Sequence, residues 1–361
     1  MKDILRALIK DHPKQSIGYD TFIEYSLYHE EYGYYQKDGE KVGKEGDFYT
    51  SSMIHNVFAH IFADYFYNTS SRLNMPLAIC EIGGGDGTFA REVINRLSQT
   101  TKDFTYHLIE KSPYHREKIK EGTDTAHLFL YRHLDEFKAR NPYFEGIIFS
   151  NEWLDAQPVK VVEIKDGIPL EIRIELDENE DFIETSYPLT EALADFVKTY
   201  NLPLREEGQR MEIPGYMVTF AKELDSMLNK GVIVTVDYGY RNAEWQHPAR
   251  KKGSLRGYYQ HRLIDDVLQS PGMMDITHHL HWDVWKEIGR KMGWEDGFIL
   301  KQNEFLLKSG IMDELITHTN PDPFSEESKK NRAIRTLITG EGFSEAFDVV
   351  IQAKKVSIPA L

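Results

Sequence analysis

The stretch Ala78-Ile79-Cys80-Glu81-Ile82-Gly83-Gly84-Gly85-Asp86-Gly87-Thr88-Phe89-Ala90 decides the fold class of this chain. A short apolar run ends in a carboxylate and passes through glycines into a helical pattern. This order predicts a strand, a tight loop and a helix, which is where α/β sheets bind nucleotide-like ligands. Gly83, Gly85 and Gly87 lack a Cβ, so they can adopt positive φ and let a ligand approach the backbone. A glycine-rich turn without any cofactor is the alternative interpretation.

The loop carries acids where phosphate-binding loops carry a lysine. Glu81 precedes the glycines, Asp86 lies among them, and Thr88 stands where a GxGxxG fingerprint has its third glycine. Local negative charge repels a pyrophosphate, so that ligand is disfavoured. S-adenosylmethionine has a nucleoside, an ammonium and a sulfonium but no phosphate, and it suits an acidic glycine loop. The pattern therefore predicts this cofactor, bound by Glu81 and the three glycines.

Two further apolar runs end near acids that could face such a cofactor. Residues 104–109 predict a second strand that ends at Glu110. An acid about 20 residues beyond the glycines lies where parallel strands bring a carboxylate against ribose hydroxyls. Residues 128–131 predict a third strand, and Asp135 after it is assigned to the adenine edge. The alternative for Asp135 is a solvated acid, which is common after strands.

The fourth predicted strand leads into polar residues that we assign to the second substrate. Residues 146–150 form an apolar run, and Asn151, Glu152 and Asp155 follow it. Polar groups at the carboxyl end of a parallel strand line the ligand crevice, so these three are the predicted catalytic residues. If the segment is helical, Glu152 and Asp155 share one face. The alternative is that either acid only caps the following helix.

Three later apolar runs complete the predicted sheet. Residues 232–236, 299–303 and 347–352 have the pattern of strands. The chain then has about seven strands that alternate with helical stretches. This order predicts an α/β fold with a doubly wound, parallel, Rossmann-like sheet.

Two additional regions frame the predicted sheet. Residues 1–74 are rich in helix formers and aromatic side chains and predict a helical lid region. Residues 158–230 are predicted to be an inserted α+β lobe, since two alternating runs separated by Lys165-Asp166-Gly167 indicate a hairpin. The sheet domain then comprises residues 75–157 and 231–361, and the insertion is expected to form a substrate wall.

Composition and charge narrow the partners. The 361 residues carry a net charge of −15, which repels a nucleic-acid backbone and attracts basic peptides or cations. With 41% hydrophobic residues and no long apolar run, the chain predicts no membrane insertion. Residues 1–7 lack a signal-peptide pattern, so a cytoplasmic location is expected. Cys80 is the one cysteine, and the histidines within 278–281 have no second ligand cluster, so neither a disulfide nor a metal site is predicted.

Six motifs occur in an order that resembles a known family. They span residues 28–35, 46–52, 81–88, 110–113, 150–156 and 256–262, the last followed by Pro271-Gly272 and residues 275–277. Together they resemble the MidA-like S-adenosylmethionine-dependent methyltransferases, and the resemblance covers most of the chain. Mitochondrial members of that family are arginine methyltransferases that assist assembly of respiratory complex I.

The resemblance implies a seven-stranded class I methyltransferase sheet and a lid that contacts the cofactor. Thr50 and Ser51 would lie at the carboxylate end of the cofactor, and the segment beginning at Asn151 would lie beside the transferred methyl. Two departures change one wall of the site. Residues 52–53 are Ser-Met where the family has Pro-Glu, and Trp153-Leu154 replaces two phenylalanines. The acceptor therefore need not be the one used by the mitochondrial members.

A protein arginine methyltransferase is the leading functional prediction. Carboxylates such as Glu152 and Asp155 could hold a protonated guanidinium bidentately. The displacement needs no metal, because the sulfonium leaves as a neutral thioether. Two alternatives stay open, a small-molecule methyltransferase with the same cofactor and a cofactor-binding assembly factor without turnover.

Overall fold

A computed structural model of the chain describes residues 1–37, 56–123, 126–260, 262–339 and 345–358. Its helices are α1 (Lys2–Asp11), α2 (Tyr19–Tyr28), α3 (Val57–Leu73), α4 (Thr88–Thr100), α5 (Pro113–Gly122), α6 (Leu134–Arg140), α7 (Glu191–Thr199), α8 (Tyr216–Met227), α9 (Asn242–Trp245), α10 (Trp282–Lys291), α11 (Gln302–Lys308) and α12 (Glu326–Ile338). Short 3-10 helices occupy Tyr34–Gln36, Pro248–Arg250 and Ile311–Glu314. Within the described ranges, no helix combines the length and the apolar character needed to span a membrane.

The strands of the described ranges form three sheets. They are β1 (Ile17–Gly18), β2 (Ala78–Ile82), β3 (Thr105–Ile109), β4 (Leu128–Tyr131), β5 (Phe144–Asn151), β6 (Lys160–Lys165), β7 (Ile168–Leu176), β8 (Phe182–Pro188), β9 (Arg210–Ile213), β10 (Leu228–Tyr240), β11 (Arg256–Tyr259), β12 (Arg262–Ile264), β13 (Asp275–Thr277), β14 (Leu280–His281), β15 (Glu295–Lys301) and β16 (Phe347–Lys354). The chain divides into two compact units. Unit one comprises Met1–Phe48, Leu154–Ala221 and Gly239–Ile288, and unit two comprises Tyr49–Trp153, Lys222–Tyr238 and Gly289–Leu361.

Unit two contains the predicted sheet, with the strand order β15-β16-β10-β5-β2-β3-β4. Strand β2 pairs in parallel with β3 and with β5, and β5 pairs in parallel with β10. Strands β3 and β4 lie on one side of β2 in the sheet, and the chain then crosses to the other side of β2 to form β5. The carboxyl ends of β2 and β5 therefore flank the switch point at which such sheets bind ligands. The predicted α/β fold with a seven-strand path is confirmed.

The structure differs from the prediction in the direction of the last strand. Strand β16 runs antiparallel to β10 and to β15. Nearly all of β16 is buried, and a continuous apolar run indicates burial on both faces without indicating direction. The predicted strand at residues 299–303 also has other bounds, since β15 begins at Glu295 and α11 begins at Gln302.

Aromatic rings fill the core of unit two. Phe62 of α3 packs against Phe149 of β5 and Phe305 of α11, with ring centroids 5.2 and 5.0 Å apart. Phe89 of α4 stacks on Phe149 at a centroid distance of 4.7 Å. Full burial of a Phe side chain contributes about 1.5–3 kcal/mol. These contacts hold α4, the helix that follows the glycine loop, against the sheet.

Unit one contains an antiparallel sheet of order β1-β7-β6-β9, in which β8 also pairs with β7. The predicted hairpin is confirmed as β6 and β7, and its turn has φ of +52° at Asp166 and +72° at Gly167. Positive φ at both turn residues matches the right-handed twist of the strands. A second sheet, β12-β11-β13, belongs to the same unit. The predicted domain bounds stay a prediction.

A buried histidine on β14 links the stability of unit one to pH. His281 is fully buried, and its ring stacks on the indole of Trp245 at a centroid distance of 4.4 Å. Burial, with a smaller contribution from His278, lowers the pKa of His281 to about 3. The folded protein therefore keeps this imidazole neutral across the weakly acidic range.

We expect the protein to lose stability as the pH falls below the ordinary histidine pKa of 6.5. In that range the unfolded chain binds a proton on His281 that the folded chain does not bind, so unfolding is favoured by about 1.4 kcal/mol per pH unit. The substitution His281→Asn removes this contribution, although it also weakens the packing on Trp245. Urea unfolding at about pH 7.5 and about pH 5 measures the effect. An unchanged pH dependence in the variant would contradict the assignment.

Candidate active site

The glycine loop begins where β2 ends, and its backbone has the predicted conformation. Gly83, Gly85 and Gly87 have φ of +77°, +54° and +78°. The Gly83 N–H donates to the Ile109 carbonyl at 2.9 Å, which ties the start of the loop to the end of β3. A Cβ placed on Gly85 would meet no heavy atom within 4 Å. The loop therefore presents open space at Gly85, where a ligand can approach the backbone.

Glu110 holds the middle of this loop in place. Its Oε2 accepts the Gly85 N–H at 2.9 Å, and its Oε1 accepts the Ser112 N–H at 2.7 Å. The side chain is only partly accessible, since Glu110 is 8% exposed. A carboxylate offers about four lone-pair positions, of which these N–H groups use two, and His115 Nδ1 lies 3.8 Å from Oε1. This arrangement agrees with the predicted contact to a ribose, which stays a prediction.

Glu81 provides a second carboxyl group beneath the loop. The residue is 3% exposed, and the Tyr106 hydroxyl donates to its Oε2 at 2.7 Å. Burial raises the pKa of Glu81 to about 8, and the nearby carboxylates of Glu110 and Asp86 raise it as well. At neutral pH burial therefore keeps this carboxyl protonated. A positively charged ligand group beside it would favour the ionised form.

Asn151 and Glu152 leave β5 beside the glycine loop. The register pairs Ile82 with Ser150, so Gly83, which follows β2, and Asn151, the last residue of β5, lie at the carboxyl ends of neighbouring strands. The Asn151 amide donates to the Glu152 carboxylate at 3.3 Å. The Oδ1 atom of Asn151 is buried and has no hydrogen-bond partner in the part of the chain that the structure describes. A buried acceptor of this kind costs about 1–3 kcal/mol unless a ligand or water supplies a donor.

The segment after β5 is a turn, so the condition under which Glu152 and Asp155 would share one helix face is not met. Glu152 has φ of +48°, which a right-handed helix cannot contain. Its N–H donates to the Val236 carbonyl of β10 at 2.9 Å. Asp155 is buried in unit one, where its carbonyl accepts the His278 N–H at 3.0 Å. The catalytic role assigned to Asp155 stays a prediction.

One residue assigned to the cofactor has an exposed side chain in a helix turn, and two others lie outside the described residues. Asp135 is in the first turn of α6, its side chain is 95% exposed, and its carboxylate lies 3.8 Å from the Lys138 ammonium. That environment is the one expected for the solvated alternative. Thr50 and Ser51 lie outside the described residues. Their assigned roles stay predictions.

The sequence analysis missed Tyr106 as a residue of the site, and it missed the contact that Trp153 makes with the glycine loop. Tyr106 pairs with Ile79 in the sheet, which places Tyr106 on the same face as Glu81, two residues along β2. Correct alignment of the two strands would have indicated this contact. Trp153 packs its indole against Gly83, in the position that a Cβ of Gly83 would need. The requirement for glycine at this position therefore comes from Trp153 as well as from the positive φ.

The residues of unit two fit S-adenosylmethionine better than a dinucleotide. The buried Glu81 carboxyl and the anchored Glu110 carboxylate offer charge to a cation and acceptors to ribose hydroxyls. The backbone at Gly85 is open to a ligand. The glycine loop contains no lysine or arginine that would neutralise a pyrophosphate.

Residues 59–297 match a family model described as S-adenosyl-L-methionine-dependent methyltransferase. The chain belongs to this family. The resemblance inferred from the ordered motifs is thereby confirmed.

Named relatives and a solved structure are similar over most of the chain. The mitochondrial protein arginine methyltransferase NDUFAF7 homolog of Drosophila melanogaster is 23% identical over 330 residues, covering 80% of this chain and 71% of that protein. NDUFAF7 of Bos taurus is 23% identical over 347 residues, covering 85% and 73%. A Burkholderia thailandensis protein crystallised with bound S-adenosyl-homocysteine superposes with a TM-score of 0.87 at 25% identity, covering 98% of this chain and 91% of that one.

The protein is an S-adenosylmethionine-dependent methyltransferase, and S-adenosylmethionine is its cofactor. The predicted enzyme class and cofactor are confirmed. The expected cytoplasmic location is wrong in the light of the named relatives, which are mitochondrial proteins. That expectation used the lack of a signal-peptide pattern and also Asp3, an acid of the kind that mitochondrial presequences avoid.

The raised pKa of Glu81 predicts that the ligand-free protein loses stability as the pH rises. The folded state retains the Glu81 proton up to about pH 8, whereas the unfolded chain releases it near the ordinary value of 4.5. Unfolding is favoured progressively across this window and no further above it. We expect Glu81→Gln to abolish this loss, so its advantage in unfolding free energy should grow from about pH 5 to about pH 8.

Tyr106→Phe is the matched variant for this test. It removes the hydrogen bond that lowers the pKa of Glu81, so the pH-dependent loss should extend to higher pH than in the wild type. Urea unfolding without cofactor, repeated across the pH range, measures all three proteins. A constant stability difference between Glu81→Gln and wild type would rule out a titrating Glu81.

Proposed function

We propose that this methyltransferase transfers its methyl group to an arginine nitrogen of a protein. The observation that carries the proposal is the pair formed by Asn151 and Glu152 next to the glycine loop. A buried amide oxygen without a donor and an adjacent carboxylate together provide hydrogen-bond acceptors for the N–H groups of a guanidinium. The names of the mitochondrial relatives, protein arginine methyltransferases, support the same substrate class.

The proposed cofactor-binding residues come from the first two strands of the site. The backbone of Gly83, Gly85 and Gly87 would lie against the nucleoside, and Glu110 would accept hydrogen bonds from its ribose hydroxyls. Glu81 would ionise beside a positively charged group of the cofactor, since burial without a cation keeps it protonated. When bound, S-adenosylmethionine supplies a methyl group on a positively charged sulfur, which leaves as a neutral thioether.

The proposed acceptor-binding residues hold a guanidinium through its N–H groups. A guanidinium has five N–H donors and no acceptor, so it complements oxygen atoms. Asn151 Oδ1 would accept one N–H, and the Glu152 carboxylate would accept another. This contact would draw the positive charge toward Glu152 and orient the attacking nitrogen.

The same carboxylate gives the departing proton a destination. As the new N–C bond forms, the electron pair of the broken S–C bond stays on sulfur and the attacking nitrogen loses one proton. Glu152 lies at the strand end where this nitrogen would bind, so we assign it as the proton acceptor. General base catalysis of this kind contributes about 10²–10⁴-fold to the rate.

Transfer of labelled methyl groups to peptides tests the proposal directly. The full chain is incubated with methyl-labelled S-adenosylmethionine and basic peptides that contain arginine, with lysine-for-arginine peptides as the matched control. We expect label in methylarginine after hydrolysis and none in the control. Label in lysine, or only in small molecules of a cell extract, would contradict an arginine acceptor.

Substitutions at Glu152 separate catalysis from folding. We expect Glu152→Gln to lower the rate of methyl transfer by about 10²-fold or more, because the proton acceptor is lost. Binding of S-adenosyl-homocysteine should stay at the wild-type value. Glu117→Gln, which removes an exposed carboxylate on α5, is the control and should leave both measurements unchanged.

Glu152→Gly and Glu152→Ala form a second matched pair. Residue 152 has φ of +48°, and a residue with a Cβ loses roughly 1–2 kcal/mol in this conformation. The glycine variant should therefore be more stable than the alanine variant by about 1 kcal/mol, while both lack activity. Wild-type turnover in either variant would remove Glu152 from the mechanism.

A further inference from the structure

A compact polar cleft lies within unit one, and none of the residues assigned above is among those that line it. It has a volume of about 120 Å³ and is lined by Pro203, Arg205, Glu206, Gln209, Trp245, Gln246, His247, Pro248 and Lys251. The first four precede or begin β9, and the others follow β10. Pockets for drug-sized ligands begin at about 300 Å³, so this cleft suits a compact group.

Trp245, one of the lining residues, carries an indole N–H that the described protein leaves without a partner. Trp245 is 1% exposed, and its Nε1 has no hydrogen-bond partner among the described residues. Stacking on His281 at 4.4 Å fixes the ring plane. An unpaired buried N–H is rare and unfavourable, so a ligand acceptor would restore the missing hydrogen bond.

Two basic side chains line the same cleft. Neither Arg205 nor Lys251 forms an ion pair with any described carboxylate, in contrast to Arg210, which pairs with Glu184. The Lys251 stem lies over Gly208, with Cε 3.6 Å from the position of a Cβ on that glycine. The Lys251 carbonyl accepts the Arg210 N–H at 2.8 Å, so its backbone is held to β9. In a chain with 58 acidic and 43 basic residues, two such cations at one cleft are unusual.

The other polar residues leave the cleft rich in donors. His247 Nδ1 accepts the Ala249 N–H at 3.2 Å, so the proton of the neutral ring lies on Nε2 as a further donor. Gln209 makes hydrogen bonds to Arg205, Glu206 and Pro203, which fixes the loop before β9. Glu206 is the one acid among the lining residues, and the carboxyl of the adjacent Glu207 is close enough for the Lys251 charge to contribute to its lowered pKa.

We propose that this cleft binds a compact oxyanion of the phosphate type. The Arg205 guanidinium and the Lys251 ammonium would neutralise its charge, and the Trp245 and His247 N–H groups would orient its oxygens. Charge-assisted hydrogen bonds from several directions suit a tetrahedral group. The group comes either from free phosphate or from a phosphorylated side chain of a protein.

Phosphate titration of the full chain tests this site. Calorimetry at constant ionic strength, with chloride replacing phosphate, should show saturable binding in the wild type. We expect Arg205→Gln/Lys251→Gln to weaken binding at least about tenfold, since each lost charge-assisted bond is worth about that factor or more. Trp245→Phe keeps the aromatic ring and removes the N–H, so it should weaken binding about threefold to tenfold.

The control is Lys2→Gln/Lys198→Gln, which removes two exposed positive charges elsewhere in unit one and should bind phosphate like the wild type. Equal binding by all variants, or no saturable binding, would overturn the site. A phosphoserine peptide that binds at least tenfold more tightly than phosphate identifies a protein-borne group. Equal affinities identify the free ion. Methyl transfer is not needed for any of these measurements, so they are independent of the proposed acceptor.

Discussion

The hydrogen bond from the Gly85 N–H to the Glu110 carboxylate fixes the middle of the cofactor loop, and the rest of the site is built around it. Glycine loses more conformational freedom on folding than any other residue, and this loop contains several. An anchor from a rigid element is therefore needed. Glu110 follows β3 directly, and the Ser112 N–H fixes its other oxygen. The pairing of β2 with β3 thus determines where the loop backbone lies.

The same pairing brings acidic groups together at the carboxyl ends of β2 and β3. Glu81 is buried beneath the loop, and Glu110 and Asp86 contribute to its raised pKa. Each additional negative charge at these strand ends makes an anionic ligand less favourable and a cationic ligand more favourable. The acids that stand in place of the usual lysine therefore favour a cationic cofactor and disfavour an anionic one. The match to methyltransferases over residues 59–297 agrees with this electrostatic reasoning.

The sequence predicted the features that depend on local pattern. Asp166-Gly167 has the chemistry of a two-residue turn, and the hairpin follows from it. The direction of β16 could not be predicted, because a strand buried on both faces has no alternation. No helix follows β5 directly, because Glu152 has a positive φ. A positive φ at a glutamate has no sequence signal, so this turn could not be predicted.

Contacts between segments that are distant in the sequence could not be predicted either. Asn151 and Trp245 illustrate this, because each has a buried polar atom that the described protein leaves without a partner. Such atoms lower stability, and a single apolar substitution could remove either of them. Asn151 lies next to the strained backbone of Glu152, so two unfavourable features share one strand end. A ligand that donates a hydrogen bond to Asn151 Oδ1 would offset the first of these costs when it binds, whereas the backbone strain at Glu152 is a separate cost.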